Sequence, residues 1–362
     1  MGQVRKVKIT QTATGAWAAS TADIATDLDK TGLITRIYAT AEITPNQAMT
    51  TAVGVDGLFR TVQNLKIEGG AHSYFSLPGG AGGAGGVLLH YLNRKDFRMV
   101  GHSDGIITAP SRTYVGATYV FHCGSRPQDQ FGRDNPFDLT AFIPAHVESQ
   151  LRALWTTGAN TVMDDTTTVS SAVMRYTLCT VQGTEEEIRQ EMARQGVSTP
   201  MVPAWIPSSF PHVATAPDYS EERDIPTGGF LKRIAIYEQN DTAEGSTPLR
   251  AEDQVTGIAI KLPLESNTPI KYFAGDIETA MTDYGSMLVD ASASGFGNIH
   301  APYGILIADL RPHYFPDYGM DMRQMTTGAV KLGLTITTYT SGDDSFILYE
   351  RYQLYPGPLA GL

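Results

Sequence analysis

The stretch GAVKLGLTITTYT, residues 328–340, decides how this chain is read. Val330, Leu332, Leu334 and Ile336 fall on one side of an extended chain, and Lys331, Thr335 and Thr337 fall on the other. Side chains of a β-strand alternate between faces, so a period of two marks a strand with one buried face. TGIAIKLPLES (256–266) repeats the pattern with Ile258, Ile260, Leu262 and Leu264. TYVGATYVFHC (113–123) repeats it with Val115, Ala117, Tyr119, Phe121 and Cys123. LITRIYATAEIT (33–44), NLKIEG (64–69), VMRYTLCTVQ (173–182), YGILIADL (303–310) and SFILYERYQLY (345–355) are further strands of period two or close to it. All are short and are separated by clusters of Gly, Pro, Asn and Asp, the pattern of β-sandwiches. The expected fold class is all-β with a few short helices.

The 362 residues suit two domains of ordinary size. Hydrophobic residues make up 42% and charged residues 18%, which supplies a core and leaves room for subunit contacts. The 36 Gly and 20 Pro multiply turns and disfavour long helices. Net charge is −11 with no long basic run, which argues against sequence-independent nucleic-acid binding. Arg5, Lys6 and Lys8 form the one basic cluster. They read either as the solvated start of the chain or as a short arm that touches anionic lipid or a neighbouring subunit. Cys123 and Cys179 lack a CxxC spacing and sit in apolar runs, so buried free thiols are expected. The start of the chain has no apolar signal-type stretch, and no run reaches the length of a membrane span.

Helical signals are few. In TEEEIRQEMARQG (184–196), Thr184 and Glu187 form a capping box, acidic residues fill the first turn and Gly196 can stop the helix. GDIETAMTDYG (275–285) places Ile277, Ala280, Met281 and Tyr284 on one face. In IPAHVESQL (143–151), Pro144 can open a short helix, and GGVLLHYLN (85–93) reads as a turn or two. The following segment, 197–229, is rich in proline and shows little periodicity, so it reads as an extended linker packed over the surface. The expected organisation is a first domain over 1–183, a helix and Pro-rich linker over 184–224, and a second domain over 225–362.

The two halves echo each other in order. TGLITRIYA (31–39) resembles TGGFLKRIAIY (227–237), and LKIEGGAHSYF (65–75) resembles LPLESNTPIKYF (262–273). Each Tyr-Phe pair precedes a helix candidate, 87–92 and 277–284. Segments opening at Pro136 and Pro316 then lead to last strands with Arg-Tyr at their middle, VMRYTLCTV and ILYERYQLY.

Inside SLPGGAGGAGGVLLHYL (76–92), Gly80, Gly82 and Gly85 match the dinucleotide pattern G-x-G-x-x-G. The pattern needs a preceding strand, a following helix and an acidic residue about 20 positions on. Asp104 has the right distance, but AHSYFSLP does not alternate and closes on Pro78. No series of parallel strands and helices follows, so no cofactor is expected. The glycines read instead as a loop that lets backbone pass where side chains would clash, with Gly82→Ala and Gly85→Ala expected to impair assembly more than folding. The eight histidines form no H-x-H, HExxH or H-x3-H pair, so no metal motif is expected. His122 and Cys123 are neighbours on one strand and point to opposite faces, so no thiol–imidazole pair is expected. Asp164–Asp165 and Asp343–Asp344 lie in turn-like stretches, and no G-x-S-x-G elbow or P-loop occurs.

The order of segments resembles the double jelly-roll major capsid proteins of tailless icosahedral viruses, many of which have an internal membrane. The resemblance is carried by KITQTATGAWAASTADIATDLDKTGLITRIYATAEIT (8–44), DLTAFIPAHVESQLRALWTTG (138–158) and the run from Tyr303 to Tyr355. It implies two eight-stranded jelly rolls in one chain, homotrimeric pseudo-hexagonal capsomers tiling an icosahedral shell, and no enzymatic activity. It implies as partners other copies of the chain, neighbouring capsomers, penton and minor capsid proteins, and an internal lipid membrane reached by the arm at Arg5, Lys6 and Lys8. The protein would be located in the virion capsid, assembled in the host cytoplasm. The competing reading is a double jelly-roll hydrolase, an amidase or glycosidase with carboxylates in the interdomain groove. Candidates for that groove, Glu221, Glu222, Asp224 and Trp205, lie in the linker. A carbohydrate-binding module is a third reading, with only Trp17, Trp155 and Trp205 to supply a platform.

Overall fold

The computed structural model of the chain describes residues 3–12, 17–18, 24–45, 62–70, 72–79, 83–97, 115–129, 131–156, 169–211, 219–244, 247–250, 255–261, 270–273, 288–289, 299–300, 304–310, 318–336 and 344–359. The first half holds β1 (Arg5–Thr12), β2 (Trp17–Ala18), β3 (Ile24–Asp27), β4 (Leu33–Pro45), β5 (Asn64–Gly69), β6 (His72–Ser76), helix α1 (Ala84–Phe97), β7 (Val115–His122), a 3-10 turn (Ala145–Val147), β8 (Leu151–Thr156) and β9 (Val169–Gln182). Helix α2 (Glu185–Arg194) follows. The second half holds β10 (Met201–Pro203), β11 (Ile206–Pro211), β12 (Tyr219–Asp224), β13 (Phe230–Glu244), β14 (Thr247–Arg250), β15 (Val255–Lys261), β16 (Ile270–Phe273), β17 (Leu288–Val289), β18 (Ile299–His300), β19 (Ile305–Asp309), β20 (Met320–Asp321), β21 (Lys331–Ile336) and β22 (Asp344–Leu354).

Each half is an eight-stranded jelly roll. In the first, one sheet runs β1-β9-β4-β7, with β2 also on β9, and the other runs β3-β8-β5-β6. In the second, β10 and β11 flank β22, which pairs β13, which pairs β19, while the facing sheet runs β12-β21-β15-β16. Numbered within each roll, with β1/β2 and β10/β11 as the first strand, the orders are 1-8-3-6 and 2-7-4-5 both times. Alternation explains why these segments pair: in β21, Leu332, Leu334 and Ile336 are buried against Ile258 and Ile260 of β15. Burying such side chains contributes roughly 1.5–3 kcal/mol each.

The duplication extends to a defect. The β4–β9 register slips between Ile34 and Arg36, and the β13–β22 register slips between Leu231 and Arg233. The extra residues are Thr35 and Lys232, and their carbonyls accept from Cys123 N at 3.0 Å and Leu310 N at 2.9 Å, each just past the sixth strand. A β-bulge at the same place in both rolls re-aims the same side chain in each, Arg36 and Arg233. Just before each bulged strand stands a glycine whose Cβ would strike the last strand: Gly32 at 2.6 Å from Val181 O and Gly229 at 2.2 Å from Tyr352 O. The pairing aligns Cys179 with Glu350, so the Arg-Tyr echo of the last strands is out of register, although the strands themselves correspond.

Two features differ from the sequence reading. The Pro-rich segment is no linker: β10, β11 and β12 lie in it and pair with β22 and β21, so the second roll begins at Met201 and not near Ile225. Proline cannot donate to a ladder but is tolerated on edge strands, and Pro203, Pro207 and Pro211 lie in β10 and β11 on the sheet edge. The turn or two at 85–93 is a 14-residue helix, α1. Its Val87, Leu88, Leu89, Tyr91 and Leu92 are buried, and it contacts β5 and β7 of its own roll and β13 and β22 of the other. From residue 84 to residue 93 the helix is buried whichever way its side chains face, so no exposed stripe marks its period there. The second-half helix expected over 277–284 lies outside the described residues. By contrast α2 is as expected: Thr184 N donates to Glu187 Oε2 at 2.9 Å, Glu187 N donates to Thr184 Oγ1 at 3.3 Å, and Gly196 stops the helix at φ +70°.

Gly85 answers the glycine-loop question. A Cβ there would sit 2.6 Å from both Leu77 Cβ and Pro78 O, because α1 starts against the exit of β6. Gly85→Ala is therefore expected to destabilise the fold itself, by about 1–3 kcal/mol as for an overpacked core. This reverses the expectation that the substitution would spare folding; urea denaturation of the purified variant measures it. Gly80 and Gly82 lie outside the described residues.

Candidate functional site

The rolls meet across a buried polar junction built from the two bulges. In the first roll, Arg36 Nε donates to His122 Nδ1 at 3.0 Å, Nη1 to Tyr38 OH at 2.9 Å and Nη2 to Pro127 O at 3.2 Å, and Nη1 also pairs with Asp134. Asp138 is 1% exposed and accepts from Arg126 N at 2.7 Å, Thr140 N at 3.0 Å and Thr140 Oγ1 at 2.7 Å. His122 Nε2 stands 3.4 Å from Asp138 Oδ2. In the second roll, Lys232 Nζ lies 2.8 Å from Glu350 Oε1 and Arg233 Nε pairs with Glu350 Oε2, all three side chains being buried. Tyr352 OH joins the two networks: it is 3.3 Å from Glu350 Oε1 and donates to Gly124 O of the first roll at 2.9 Å. Tyr318 OH donates to Thr140 O at 3.2 Å, and Ala141, Met201, Phe230 and Tyr352 pack as one apolar cluster. The junction thus holds a fixed arrangement of charge with its carboxylates consumed by structural bonds.

The geometry sets the protonation of His122. Its Nδ1 accepts from a permanently charged guanidinium, so the ring proton sits on Nε2 and points to Asp138. Burial, with Arg36 and Lys232 adding to it against the pull of Asp138, holds the His122 pKa below its ordinary value. Burial alone would raise the Asp138 carboxyl, but hydrogen bonds from His122 and Thr140 outweigh it and hold that group below the usual carboxylate range. Unfolded chain takes up a proton at His122 near pH 6.5 and folded chain does not, so stability is complete above that pH and is lost as pH falls below it. The expected slope is about 1.4 kcal/mol per pH unit for one proton. Denaturation curves at pH 7.5 and 5.5 check this, with His122→Gln expected to flatten that limb; the Asp138 contribution is lost only in stronger acid.

The structure places Arg5, Lys6 and Lys8 on an edge strand and not on a free arm. β1 pairs with β9 from Arg5↔Gln182 to Thr12↔Arg175. Lys6 Nζ is 3.0 Å from Glu191 Oε1 of α2, and Lys8 Nζ lies 5.9 Å from the Tyr38 ring centroid. All three are exposed: alternation along β1 turns Lys6 and Lys8 to the face opposite Val7 and Ile9, and Arg5 stands at the first position of the strand.

Of the carboxylates proposed for a hydrolytic groove, Glu222 and Asp224 are each held by a lysine, and the side chain of Glu221 lies outside the described residues. Glu222 pairs with Lys261 and Asp224 with Lys331, both at the surface. Trp205 is buried, edge-on to Phe75 at 5.0 Å between ring centroids. Cys123 and Cys179 are free, buried thiols, and burial raises both above their ordinary pKa. Among the described residues no group of three or more His, Cys, Asp or Glu is placed to hold a metal ion. Among them, too, no helix is long and apolar enough to cross a membrane. The junction network was not singled out from sequence. Its one signal was the shared Arg in TGLITRIYA and TGGFLKRIAIY, which the bulges place at equivalent points.

No family model and no curated protein matches the sequence. Solved structures do match in shape. The crystal structure of the STIV MCP, from Sulfolobus turreted icosahedral virus, superposes with a TM-score of 0.67 at 17% identity, covering 98% of this chain and 97% of that one. PBCV-1 VP54 gives 0.61 at 11% identity over 97% and 94% of the two chains. The major capsid protein P2 of bacteriophage PM2 gives 0.52 at 8% identity over 96% and 98%. The fold is therefore that of the double jelly-roll major capsid proteins.

Proposed function

We propose that this chain is a viral major capsid subunit, three copies of which form a pseudo-hexagonal capsomer that tiles an icosahedral shell. The carrying observation is the end-to-end correspondence with the STIV MCP, which takes in both rolls and nearly the whole of each chain. Two rolls with the same strand order and the same bulge give one chain two similar building blocks, which three chains can arrange as a ring of six. The reading is of a structural protein without catalysis. The junction carboxylates are consumed by structural hydrogen bonds and ion pairs, and the surface ones named for a hydrolase are paired with lysines.

Its partners are other copies of itself, with penton and minor capsid proteins where the shell requires them. Its place is the virion capsid, with assembly in the host cytoplasm. Any contact of Arg5, Lys6 and Lys8 with an internal membrane or an inner protein would be made by the rim of a sheet and not by a mobile arm. Light scattering followed by negative-stain microscopy of the purified protein tests the reading. Trimers that build hexagonal arrays or shells are expected; a persistent monomer with hydrolase activity would contradict it.

A further inference from the structure

The two rolls carry different side chains at one equivalent place, beside the bulge at one end of the sandwich. In the second roll, Tyr349 and Arg351 of β22 lie two residues apart and so share a face of the strand. They are 1% and 2% exposed. Arg351 Nη2 donates to Thr227 O at 2.5 Å, while Arg351 Nε and the Tyr349 hydroxyl are buried without a hydrogen-bond partner among the described residues. Leu231 and Ile34 each precede the bulge, and they align with Arg351 and Thr180. The first roll therefore has Thr180 where the second has Arg351, and Leu178 where it has Tyr349. The neighbouring sheets repeat the contrast. Ile225 N donates to Val330 O and Leu28 N to Leu151 O at the same point of the two rolls, which equates Arg223 of β12 with Thr26 of β3. The jelly roll itself does not require an arginine at either place.

We propose that Arg351, Tyr349 and Arg223 form a binding site for a small oxyanion, a phosphate or carboxylate group, at this end of the second roll. Arg351 makes no ion pair among the described residues, and a buried cation without a counter-ion is costly enough that folded proteins seldom keep one. The described carboxylates of the roll are already committed. Asp224 pairs with Lys331 and Glu222 with Lys261 at the surface, and Glu350 is shared by Lys232 and Arg233 in the junction. Burial alone acts on the Arg351 pKa, pulling it below the ordinary arginine value, as expected of a guanidinium with no carboxylate beside it.

The donors suit such a ligand. A guanidinium presents a planar fork of N–H groups that matches two oxygens of a phosphate or carboxylate. Burial raises the Tyr349 pKa, so the hydroxyl keeps its proton and can donate beside that fork. Arg223 acts on the same hydroxyl in the opposite sense, which places a second cation within electrostatic reach. The way in passes the turn between β12 and β13. Thr227, which holds Arg351, is half-buried, and the adjoining Gly228 is exposed, with φ +93° and nothing within 4 Å of a Cβ built there. An oxyanion held behind this turn would tie β22 and β12 together at one end of the roll.

Thermal melts of the full chain in inorganic phosphate and in chloride, at equal ionic strength, test this. Phosphate is expected to raise the melting temperature by about 2–4 °C and to saturate. Arg351→Met removes the charge and keeps a long apolar side chain; it is expected to abolish the phosphate shift without lowering the melting temperature in chloride. Tyr349→Phe removes only the hydroxyl and is expected to weaken phosphate binding about tenfold, as read by titration calorimetry. Light scattering separates the two sources of the group. If the site takes the free ion, phosphate leaves self-association unchanged; if it takes a carboxylate carried by another copy, phosphate displaces that group and self-association weakens. Equal melting in phosphate and chloride, or a phosphate shift that both variants keep, would overturn the inference.

Discussion

Glu350→Gln is expected to destabilise the protein by about 3–5 kcal/mol, the cost of breaking a buried ion pair from one side. Glu350 is the carboxylate shared by Lys232 and Arg233, and the three side chains are 1–2% exposed. The neutral amide leaves two cations facing each other in a low-dielectric junction, and Arg36 stands in the adjoining network beside His122. Tyr352 also loses its charged neighbour while keeping its bond to Gly124 O, so the contact between the rolls weakens with the second roll. Urea denaturation gives the number. A loss under about 1 kcal/mol would show that the carboxylate is not the counter-ion the geometry assigns. Replacing Lys232, Arg233 and Glu350 together by apolar residues of similar volume should recover much of the loss, since the charges cost desolvation that an apolar cluster avoids.

Leu348→Ala is expected to cost about 2–5 kcal/mol, whereas Thr177→Ala at the equivalent point of the first roll should change the stability of the isolated subunit by no more than about 0.5 kcal/mol. Leu348 is fully buried on the face that α1 covers, and the space it vacates lies between packed elements that collapse only in part. Thr177 faces solvent in part, with its hydroxyl bonded to Thr10. Thermal melts of both variants, measured below the concentration at which copies associate, compare the two faces directly. Equal losses would mean that the faces are not distinguished by what covers them.

The strands were legible because each roll exposes or packs its two faces differently, and β21 shows this in six residues: Leu332, Leu334 and Ile336 inward, Lys331 and Thr335 outward. The duplication was legible in TGLITRIYA and TGGFLKRIAIY because the bulge and its Arg fall at the same place in both. Elsewhere the signal failed for physical reasons. α1 is buried on every face from residue 84 to residue 93, so its sequence shows a run where a helix of the surface shows a stripe. β10 and β11 contain prolines that normally argue against a strand, and only their edge position reconciles the two. The Arg-Tyr echo of β9 and β22 put the right strands together in the wrong register, because a local pair of residues does not specify where a bulge will slip the ladder. Of the junction network only the shared Arg showed in the sequence, and not its partners: Arg36, His122, Asp134 and Asp138 meet Lys232, Arg233 and Glu350 only after two rolls have folded and docked.

On the proposed capsid reading, one chain supplies two equivalent rolls to a closed ring of six. Cryo-electron microscopy of the assembled protein tests it most directly. The expected image is a capsomer of three chains with six roll footprints. A particle with another number of chains, or with rolls not arranged six to a ring, would contradict it.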